Sequence, residues 1–492
     1  MKKFGIAGAG LAAVLLMAGG IWLLVQPAPA ATLADCNVII IVIDALRADH
    51  LGCYGYQRDT SPFIDSIAGR AVVFEDANSV SSYTLEVVPA LLSGLLPSSG
   101  GAGTGWFATP PPDPNLGEMF GRAGYRTGFF TDHPALATVP VDRGFGETDF
   151  VQTEWGVSGA GPLVSQRALE FAKRNKRKKF MMYLHYLDPH GPYEPKKDSY
   201  LRFADHVYPD PLRLFDQVRF VLPELKAEGF GPGEARFEDL MLRYDAEIYQ
   251  ADRAVKQLFD GLKAQGLLDN TLVILAADHG EEFLDHGFVE HAWRLYRESV
   301  HVPLLFYAPK FIQPARVSDP VSLADVAPTV LDLAGVNHGR ADFDGEALFQ
   351  RQNGEWTFVP RTKPLIAELL LEIRNTVRTV IDDGYKYIAA QRWLSSDECA
   401  HQASVQADLI KALREGKIEG VDPWGPIVHE ELYNLRDDPN ELKPVQDQQK
   451  IMQMRKILDD YHSACRRKPG KVTPQQVVLP PKEEERRRKL GY

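Results

Sequence analysis

Two aspartates that could do chemistry follow apolar segments at distant points of the chain. Residues 37–43 (Asn-Val-Ile-Ile-Ile-Val-Ile) precede Asp44, and residues 272–277 (Leu-Val-Ile-Leu-Ala-Ala) precede Asp278 and His279. Each segment has the length and unbroken hydrophobicity of a strand buried on both faces. Because ligands bind at the carboxyl ends of strands in open α/β sheets, we expect both carboxylates to line one crevice.

Two carboxylates in one crevice repel each other unless a cation or a shared proton neutralises them. Since His279 is adjacent to Asp278, a divalent metal bound by Asp44, Asp278 and His279 is the simplest explanation of the pattern. The alternative is that each aspartate caps the turn or helix after its strand. That is common for one such residue and less common for two on buried strands.

Thr84 is a candidate nucleophile. It precedes a segment that contains Pro89, ends at Gly94 and reads as a helix. A hydroxyl at a helix start lies at the positive end of the macrodipole, beside amides that can bind an oxyanion. The simpler alternative is a threonine that caps the helix.

Three histidines are further candidates for catalysis. His190 lies in a Pro/Gly turn after the apolar segment 180–187, and His291 and His301 follow at intervals unlike those of a zinc finger. They could bind substrate oxygens or protonate a leaving group, and a surface or supporting role is the alternative for each. His185, inside the apolar segment, is more typical of a core residue.

Composition limits the classes of partner. The chain has 492 residues, enough for two or three domains, and a net charge of −11, which makes nucleic acid an unsuitable partner. An anionic substrate would need a locally positive site, which a metal could supply. The four cysteines leave two alternatives open, a Cys399–Cys465 disulfide or free thiols.

The N-terminal segment predicts export. Two lysines precede the apolar residues 4–25, and Ala28-Pro29-Ala30 follows. This pattern is typical of a secretion signal, and its length fits a retained membrane anchor equally well. We therefore expect the rest of the chain on the periplasmic or extracellular face, with the membrane as a partner of this segment.

The sequence divides into four parts. Near residue 356 the pattern changes to short alternating strands, which suit antiparallel pairing. We predict a signal peptide or anchor over residues 1–36, a catalytic domain over 37–355, a C-terminal subdomain over 356–465 and a charged tail over 466–492.

Seven blocks, in the right order, resemble the sulfatases of the alkaline phosphatase superfamily. They are residues 37–56, 60–65, 91–94, 185–193, 278–281, 301–305 and 325–335. The resemblance implies an α/β fold with an alkaline-phosphatase-like mixed sheet sandwiched by helices, and a smaller C-terminal antiparallel α+β subdomain.

The chain departs from the sulfatase pattern at several positions. Counting back from Leu91-Leu-Ser-Gly94, Thr84 occupies the position of the cysteine or serine that becomes formylglycine, and Leu-Glu-Val-Val follows without the proline and arginine of that motif. Ala45 replaces the second aspartate of the family. The Gly-Lys-x-His block is absent from residues 124–134. These departures imply that parts of the typical sulfate and calcium site are missing.

The set Asp44, Thr84, Asp278 and His279 resembles the one-metal site of phosphoethanolamine transferases and lipoteichoic acid synthases, which use a threonine nucleophile. The resemblance implies one divalent cation, Ca, Zn or Mn, and an exported hydrolase that acts on sulfate or phosphate esters through Thr84. One alternative is a phosphoethanolamine- or phosphoglycerol-type transferase that acts on an envelope lipid or glycan. Another is a catalytically silent relative that binds a sulfated glycan or a partner.

Overall fold

The structure is a computed structural model that describes residues 33, 36–100, 114–151, 159–205, 222–223, 225–337, 339, 342–352, 355–371, 375–393 and 425–467. The predicted signal or anchor at residues 4–25, most of the predicted tail and Cys399 lie outside these ranges. Cys465 is a free thiol. Within the described ranges, no helix combines the length and hydrophobicity needed to cross a membrane.

A mixed nine-stranded sheet forms the centre of the fold, in the order β10-β2-β9-β6-β1-β5-β3-β4 with β11 beside β2. Strands β7 and β8 form a separate hairpin. The bounds are β1 Asn37–Ile43, β2 Val72–Asn78, β3 Arg126–Thr131, β4 Glu147–Phe150, β5 Phe180–Tyr186, β6 Thr271–Ala277, β7 Glu282–Phe283, β8 Val289–Glu290, β9 His301–Tyr307, β10 Ala315–Val317 and β11 Val321–Ser322.

Strand direction brings several loops to one edge of this sheet. Strands β5 and β6 run parallel to β1, with Val42 opposite His185 and Ile43 opposite Ala277, and β3 runs parallel to β5. Strand β9 is antiparallel to both β6 and β2, so β2 has the direction of β6. The segments that follow β1, β2, β3, β5 and β6 therefore all leave the sheet at the same edge.

The central strands are apolar because they are covered on both faces. All seven residues of β1 and all seven of β6 are buried, as the unbroken hydrophobic segments predicted. The helices are α1 Pro62–Ala68, α2 Thr84–Ser93, α3 Leu116–Arg122, α4 Gly161–Asn175, α5 Lys197–Tyr200, α6 Ala235–Ala264, α7 Arg297–Val300, α8 Val326–Leu333 and α9 Gln448–Arg467. Helix α4 packs on β3 and β5 and against α6, while α2 packs on α8.

A smaller antiparallel sheet follows and confirms the predicted C-terminal architecture. After the hairpin of β12 (Phe349–Gln352) and β13 (Glu355–Phe358) come β14 (Leu365–Leu371), β15 (Asn375–Asp382), β16 (Tyr385–Arg392) and β17 (His429–Asn434), paired in chain order. Helix α9 packs on β15 and β16. The core of this unit includes Val380, Tyr387, Leu432 and Met454. The domain boundaries themselves stay predictions.

Candidate active site

Asp44 and Asp278 are the first residues after β1 and β6, and both are fully buried. Asp278 Oδ1 accepts hydrogen bonds from the amides of Ala45 (3.2 Å) and His279 (2.9 Å). Asp278 Oδ2 and Asp44 Oδ1 accept no hydrogen bond within the described part of the chain. Because an unpaired buried carboxylate oxygen is costly, these two atoms indicate a position for a cation.

His279 and Thr84 complete a compact group of donor atoms. His279 Nε2 lies 3.6 Å from Asp44 Oδ1, 3.6 Å from Asp278 Oδ2 and 3.1 Å from Thr84 Oγ1. Ligand atoms about 2.1 Å from a tetrahedral metal are about 3.4 Å from one another. The four residues predicted as a metal set therefore lie together with spacing that fits a divalent cation, and their role as ligands stays a prediction.

The tautomer of His279 agrees with this arrangement. Its Nδ1–H donates to the Gly280 carbonyl oxygen at 2.8 Å, so Nε2 carries the lone pair that faces Thr84 and the two carboxylates. Histidines that bind metals usually donate their second ring N–H to a carbonyl or carboxylate in this way.

Thr84 begins helix α2 and is almost fully buried. The residue before the helix is Tyr83, whose carbonyl accepts hydrogen bonds from the Glu86 and Val87 amides at 2.9 and 3.1 Å. The Thr84 side chain does not cap this helix; its hydroxyl contacts His279 instead. The capping alternative is therefore wrong for Thr84.

Two histidines outside the predicted set of site residues contact the other oxygen of Asp44. His133 Nε2 and His185 Nε2 lie 3.0 and 3.1 Å from Asp44 Oδ2. His133 comes from residues 124–134, where no Gly-Lys-x-His block was found. His185 is bonded to a site carboxylate, although its place inside a strand suggested a core role. The signal for His133 was its position just beyond the end of β3, at the edge that carries Asp44.

The predicted residues His190 and His291 lie in the same cluster. The ring centroids of His190 and His291 are 4.8 Å apart, and those of His291 and His279 are 4.3 Å apart. His190 Nδ1–H donates to the Gly191 carbonyl at 2.7 Å, and burial lowers the pKa of this imidazole to about 3. His190 is therefore neutral, with its lone pair on Nε2.

Glu281 was missed by the sequence analysis and fixes His291. Its Oε1 is 2.9 Å from His291 Nδ1, and its Oε2 accepts a 2.8 Å hydrogen bond from the Tyr193 hydroxyl. Burial raises the pKa of Glu281 to about 7. The three side chains form one hydrogen-bonded chain that sets the orientation of the His291 ring.

His301 lies at the same edge of the sheet but contacts other groups. Its Nε2 is 2.9 Å from the Glu75 carbonyl oxygen and 3.3 Å from Arg297 Nη2, and its ring faces Tyr54. Strand β9 places His301 opposite Asn78 of β2, so the ring reaches the β2 backbone. The structure does not bring His301 into contact with the Asp44 cluster, and its catalytic role stays a prediction.

The two central carboxylates have opposite electrostatic environments. Burial opposes ionisation of Asp44, but attraction from His133 and His190 and hydrogen bonds from His133 and His185 hold its pKa well below the usual range. Burial, together with repulsion from Asp44, raises the pKa of Asp278. Such a pair is stabilised when a cation neutralises the second negative charge.

Comparisons with known proteins agree on one family. The family model described as Sulfatase matches residues 36–336. An N-acetylglucosamine-6-O-sulfatase of Bacteroides thetaiotaomicron is 21% identical in an alignment of length 415, gaps included, that covers 66% of this chain and 74% of that protein. An ulvan-active sulfatase of Formosa agariphila is 24% identical in an alignment of length 479, gaps included, that covers 87% of this chain and 75% of that protein.

Solved structures with low identity share the fold. A structure of a protein in complex with its substrate D-glucosamine-2-N,6-O-disulfate has a TM-score of 0.66 at 17% identity. The match covers 89% of this chain and 100% of that protein's chain. The phosphonate monoester hydrolase of Agrobacterium radiobacter has a TM-score of 0.58 at 16% identity, and the match covers 88% of this chain and 95% of that chain. Because the family model matches more than half of this chain, the chain belongs to the Sulfatase family.

Proposed function

We propose that this protein is an exported, metal-dependent hydrolase of sulfate esters that uses Thr84 as its nucleophile. The observation that carries the proposal is the 3.1 Å contact between the Thr84 hydroxyl and His279 Nε2, beside two buried carboxylate oxygens that accept no hydrogen bond from the described residues. The names of its relatives, among them sulfatases of N-acetylglucosamine and ulvan, support a sulfated glycan as substrate.

Asp44, Asp278 and His279 would hold one divalent cation, Ca, Zn or Mn, next to Thr84 Oγ1. Such a cation supplies Lewis-acid chemistry, because it lowers the pKa of a neighbouring hydroxyl and offsets charge on ester oxygens. The chain's own contribution is a rigid frame: both aspartates leave adjacent parallel strands, and the backbone amides of Ala45 and His279 fix one carboxylate.

Catalysis would proceed in two displacements. Thr84 Oγ1 gives its proton to a neutral histidine of the cluster, for which His190 is the candidate because its Nε2 carries a lone pair, and attacks the sulfur. A covalent sulfate ester forms while the bond between sulfur and the leaving alcohol oxygen breaks. The leaving oxygen takes up a proton, for which His291 is the candidate because its ring lies 4.3 Å from that of His279. His190, 4.8 Å from His291, has its lone pair on Nε2 and would accept a proton rather than give one. Water then attacks the sulfur of the Thr84 ester, which releases sulfate and restores the hydroxyl.

The threonine itself favours a second candidate function, hydrolysis or transfer of a phosphorus ester. Oxidation of a threonine side chain would give a ketone, so the aldehyde of formylglycine cannot form at position 84. The covalent ester must then be released by attack on its central atom, as in threonine-dependent phosphoethanolamine transfer to an envelope lipid or glycan. We propose that the chain meets either substrate after export, with residues 4–25 as the signal or anchor.

The test compares an aryl sulfate, an aryl phosphate monoester and an aryl phosphodiester as substrates of the wild type, Thr84→Ala and Thr84→Ser. We expect metal-dependent turnover of the sulfate, its loss in Thr84→Ala and its partial retention in Thr84→Ser. Mass spectrometry of quenched reactions should locate the ester on the peptide that contains Thr84. Turnover that survives in Thr84→Ala would refute the nucleophile, and preference for a phosphorus ester would favour the second function.

A third result would favour a catalytically silent relative. If the wild-type protein binds metal and turns over none of the aryl esters, sulfated glycans and phospholipid headgroups must be offered in the same assay. Failure with those substrates as well would contradict the proposal that this protein is an enzyme.

A further inference from the structure

The hydrogen bonds of His133 determine which of its ring nitrogens carries the proton. The amide of Ala135 donates to His133 Nδ1 at 3.1 Å. A backbone amide can only donate, so Nδ1 must present its lone pair, and the ring proton lies on Nε2. That N–H is 3.0 Å from Asp44 Oδ2. His133 thus contacts the carboxylate through a protonated nitrogen, and its Nε2 has no lone pair for a metal.

His185 approaches the same oxygen from the neighbouring strand. Its Nε2 is 3.1 Å from Asp44 Oδ2, and its Nδ1 is 2.9 Å from the Tyr183 hydroxyl, which can act as donor or acceptor. An ionised carboxylate only accepts hydrogen bonds, so the His185 proton lies on Nε2. Asp44 Oδ2 therefore faces two imidazole N–H groups, while Oδ1 faces the His279 side of the cluster.

The other histidines of the cluster have the opposite tautomer. His190 and His279 donate Nδ1–H to the carbonyls of Gly191 and Gly280, which leaves a lone pair on Nε2. The cluster therefore contains two functional kinds of histidine, donors that hold Asp44 and acceptors that can bind a cation or take a proton. The donor atoms of Asp44, His133 and His190 lie within 4.8 Å of one another, and so do those of Asp44, His185 and Asp278, which alone would suggest that His133 and His185 are metal ligands. The tautomers of His133 and His185 argue against that interpretation, because both rings present Nε2–H to Asp44.

We propose that His133 and His185 are positioning residues for the metal: they hold Asp44 Oδ2 so that Oδ1 is directed at a single cation. This inference rests on the metal site of the proposed function but not on the ester that the enzyme cleaves. Hydrogen bonds to a ligating carboxylate restrict its rotation, and loss of such a partner typically lowers metal affinity about 10–100-fold.

Isothermal titration of the metal-free, full-length chain with Zn²⁺, Mn²⁺ and Ca²⁺ tests the proposal without substrate. We expect one ion per chain for the wild type. His133→Ala should weaken the tightest-bound of these ions about 10–100-fold with the stoichiometry unchanged. His133→Gln, which can offer an N–H from a similar distance, should recover most of the affinity. His50→Gln is the matched control, because His50 forms a comparable buried pair with Asp245 at 2.8 Å outside the Asp44 cluster.

Several outcomes would overturn the proposal. Two ions per chain, with the second lost in His133→Ala, would make His133 a ligand, and unchanged affinity in His133→Ala would remove its positioning role. Absence of metal binding by the wild type would also refute it. Thermal melting of the metal-free variants reports their folding. If His133→Ala does not fold, His133→Phe and His185→Phe, which keep a ring and lose the N–H donor, are titrated instead, and wild-type affinity in both is the refuting result. If the wild type binds one ion but turns over no ester, the result would contradict the proposed function and leave the positioning role of His133 and His185 standing.

Discussion

Glu86 links helix α2, which carries Thr84, to the C-terminal sheet, and its removal is expected to reduce both stability and activity. It stands where the sulfatase motif has proline, in the first turn of α2, and is buried. Its Oε1 accepts a 3.0 Å hydrogen bond from the Leu370 amide of β14, and its Oε2 accepts one of 2.6 Å from the Ser81 hydroxyl. Glu86 therefore connects the segment that carries Thr84 to the smaller sheet.

The cost of Glu86→Ala follows from the groups left behind. The Leu370 amide and the Ser81 hydroxyl would each be buried without an acceptor, at about 1–3 kcal/mol apiece, so we expect a loss of roughly 2–6 kcal/mol in the free energy of unfolding. Because Thr84 is two residues away on the same turn, we also expect kcat to fall. Glu86→Gln keeps an acceptor for Leu370 and should lose far less of both.

The pH dependence gives a second, independent signature. Burial raises the pKa of Glu86 to about 8 from its ordinary value of 4.5. Between these values the folded protein keeps a proton that the unfolded chain releases, so the Glu86 contribution is full below 4.5 and is lost as pH rises toward 8. The wild type should lose stability relative to Glu86→Gln by about 1.4 kcal/mol per pH unit between pH 5 and 8.

Urea unfolding of the wild type, Glu86→Ala and Glu86→Gln at pH 6, 7 and 8 measures these differences, with kcat determined on the same samples. Equal unfolding free energies of the wild type and Glu86→Ala would refute the linking role. A difference between the wild type and Glu86→Gln that does not change with pH would show that Glu86 is ionised in the folded protein.

Two further changes probe other buried carboxylates. Arg378→Met should cost about 3–5 kcal/mol in denaturant unfolding, because Arg378 Nε pairs with the buried Glu368 Oε1 at 3.0 Å and its loss would leave that charge uncompensated; a cost below 1 kcal/mol would contradict this. Burial raises the pKa of Asp252 to about 7, so the wild type should lose stability relative to Asp252→Asn as pH rises from 5 to 7. The contrary result would be a difference in the free energy of unfolding, measured in urea, that stays the same at every pH.

Much of the architecture could be predicted because a strand buried on both faces has an unbroken apolar sequence. The segments before Asp44 and Asp278 are apolar throughout, and they form the adjacent central strands β1 and β6. Because ligands bind at the carboxyl ends of parallel strands, the proximity of the two aspartates could also be predicted. Thr84 could be identified as a candidate nucleophile from its position at the start of a helix and from its spacing to Gly94.

The histidine cluster was harder to predict because hydrophobicity does not reveal strand order or side-chain direction. His133 follows β3, and only the order β1-β5-β3 shows that this loop reaches Asp44 across β5. His185 lies inside β5, and its register opposite Val42 places it near the end of β1. His301 shows the converse, since a position at the correct edge did not bring its ring into the cluster.

The source of positive charge in this site leads to a last prediction. Within the described residues, no lysine or arginine is hydrogen-bonded or ion-paired with Asp44, Thr84, Asp278 or His279. A substrate anion near these two aspartates would meet repulsion of about 4 kcal/mol for each pair of unit charges 4 Å apart at an effective dielectric constant of 20.

A bound divalent cation reverses the sign of that interaction, so metal should control substrate binding as well as the chemical step. We expect inorganic sulfate to bind the metal-loaded protein at least about a hundredfold more tightly than the chelator-treated protein. Calorimetric titration of the two forms, with Thr84→Ala included to exclude covalent chemistry, measures the difference. Equal sulfate affinity in both forms would show that the chain itself supplies the positive charge, and the catalytic role assigned to the cation would have to be reconsidered.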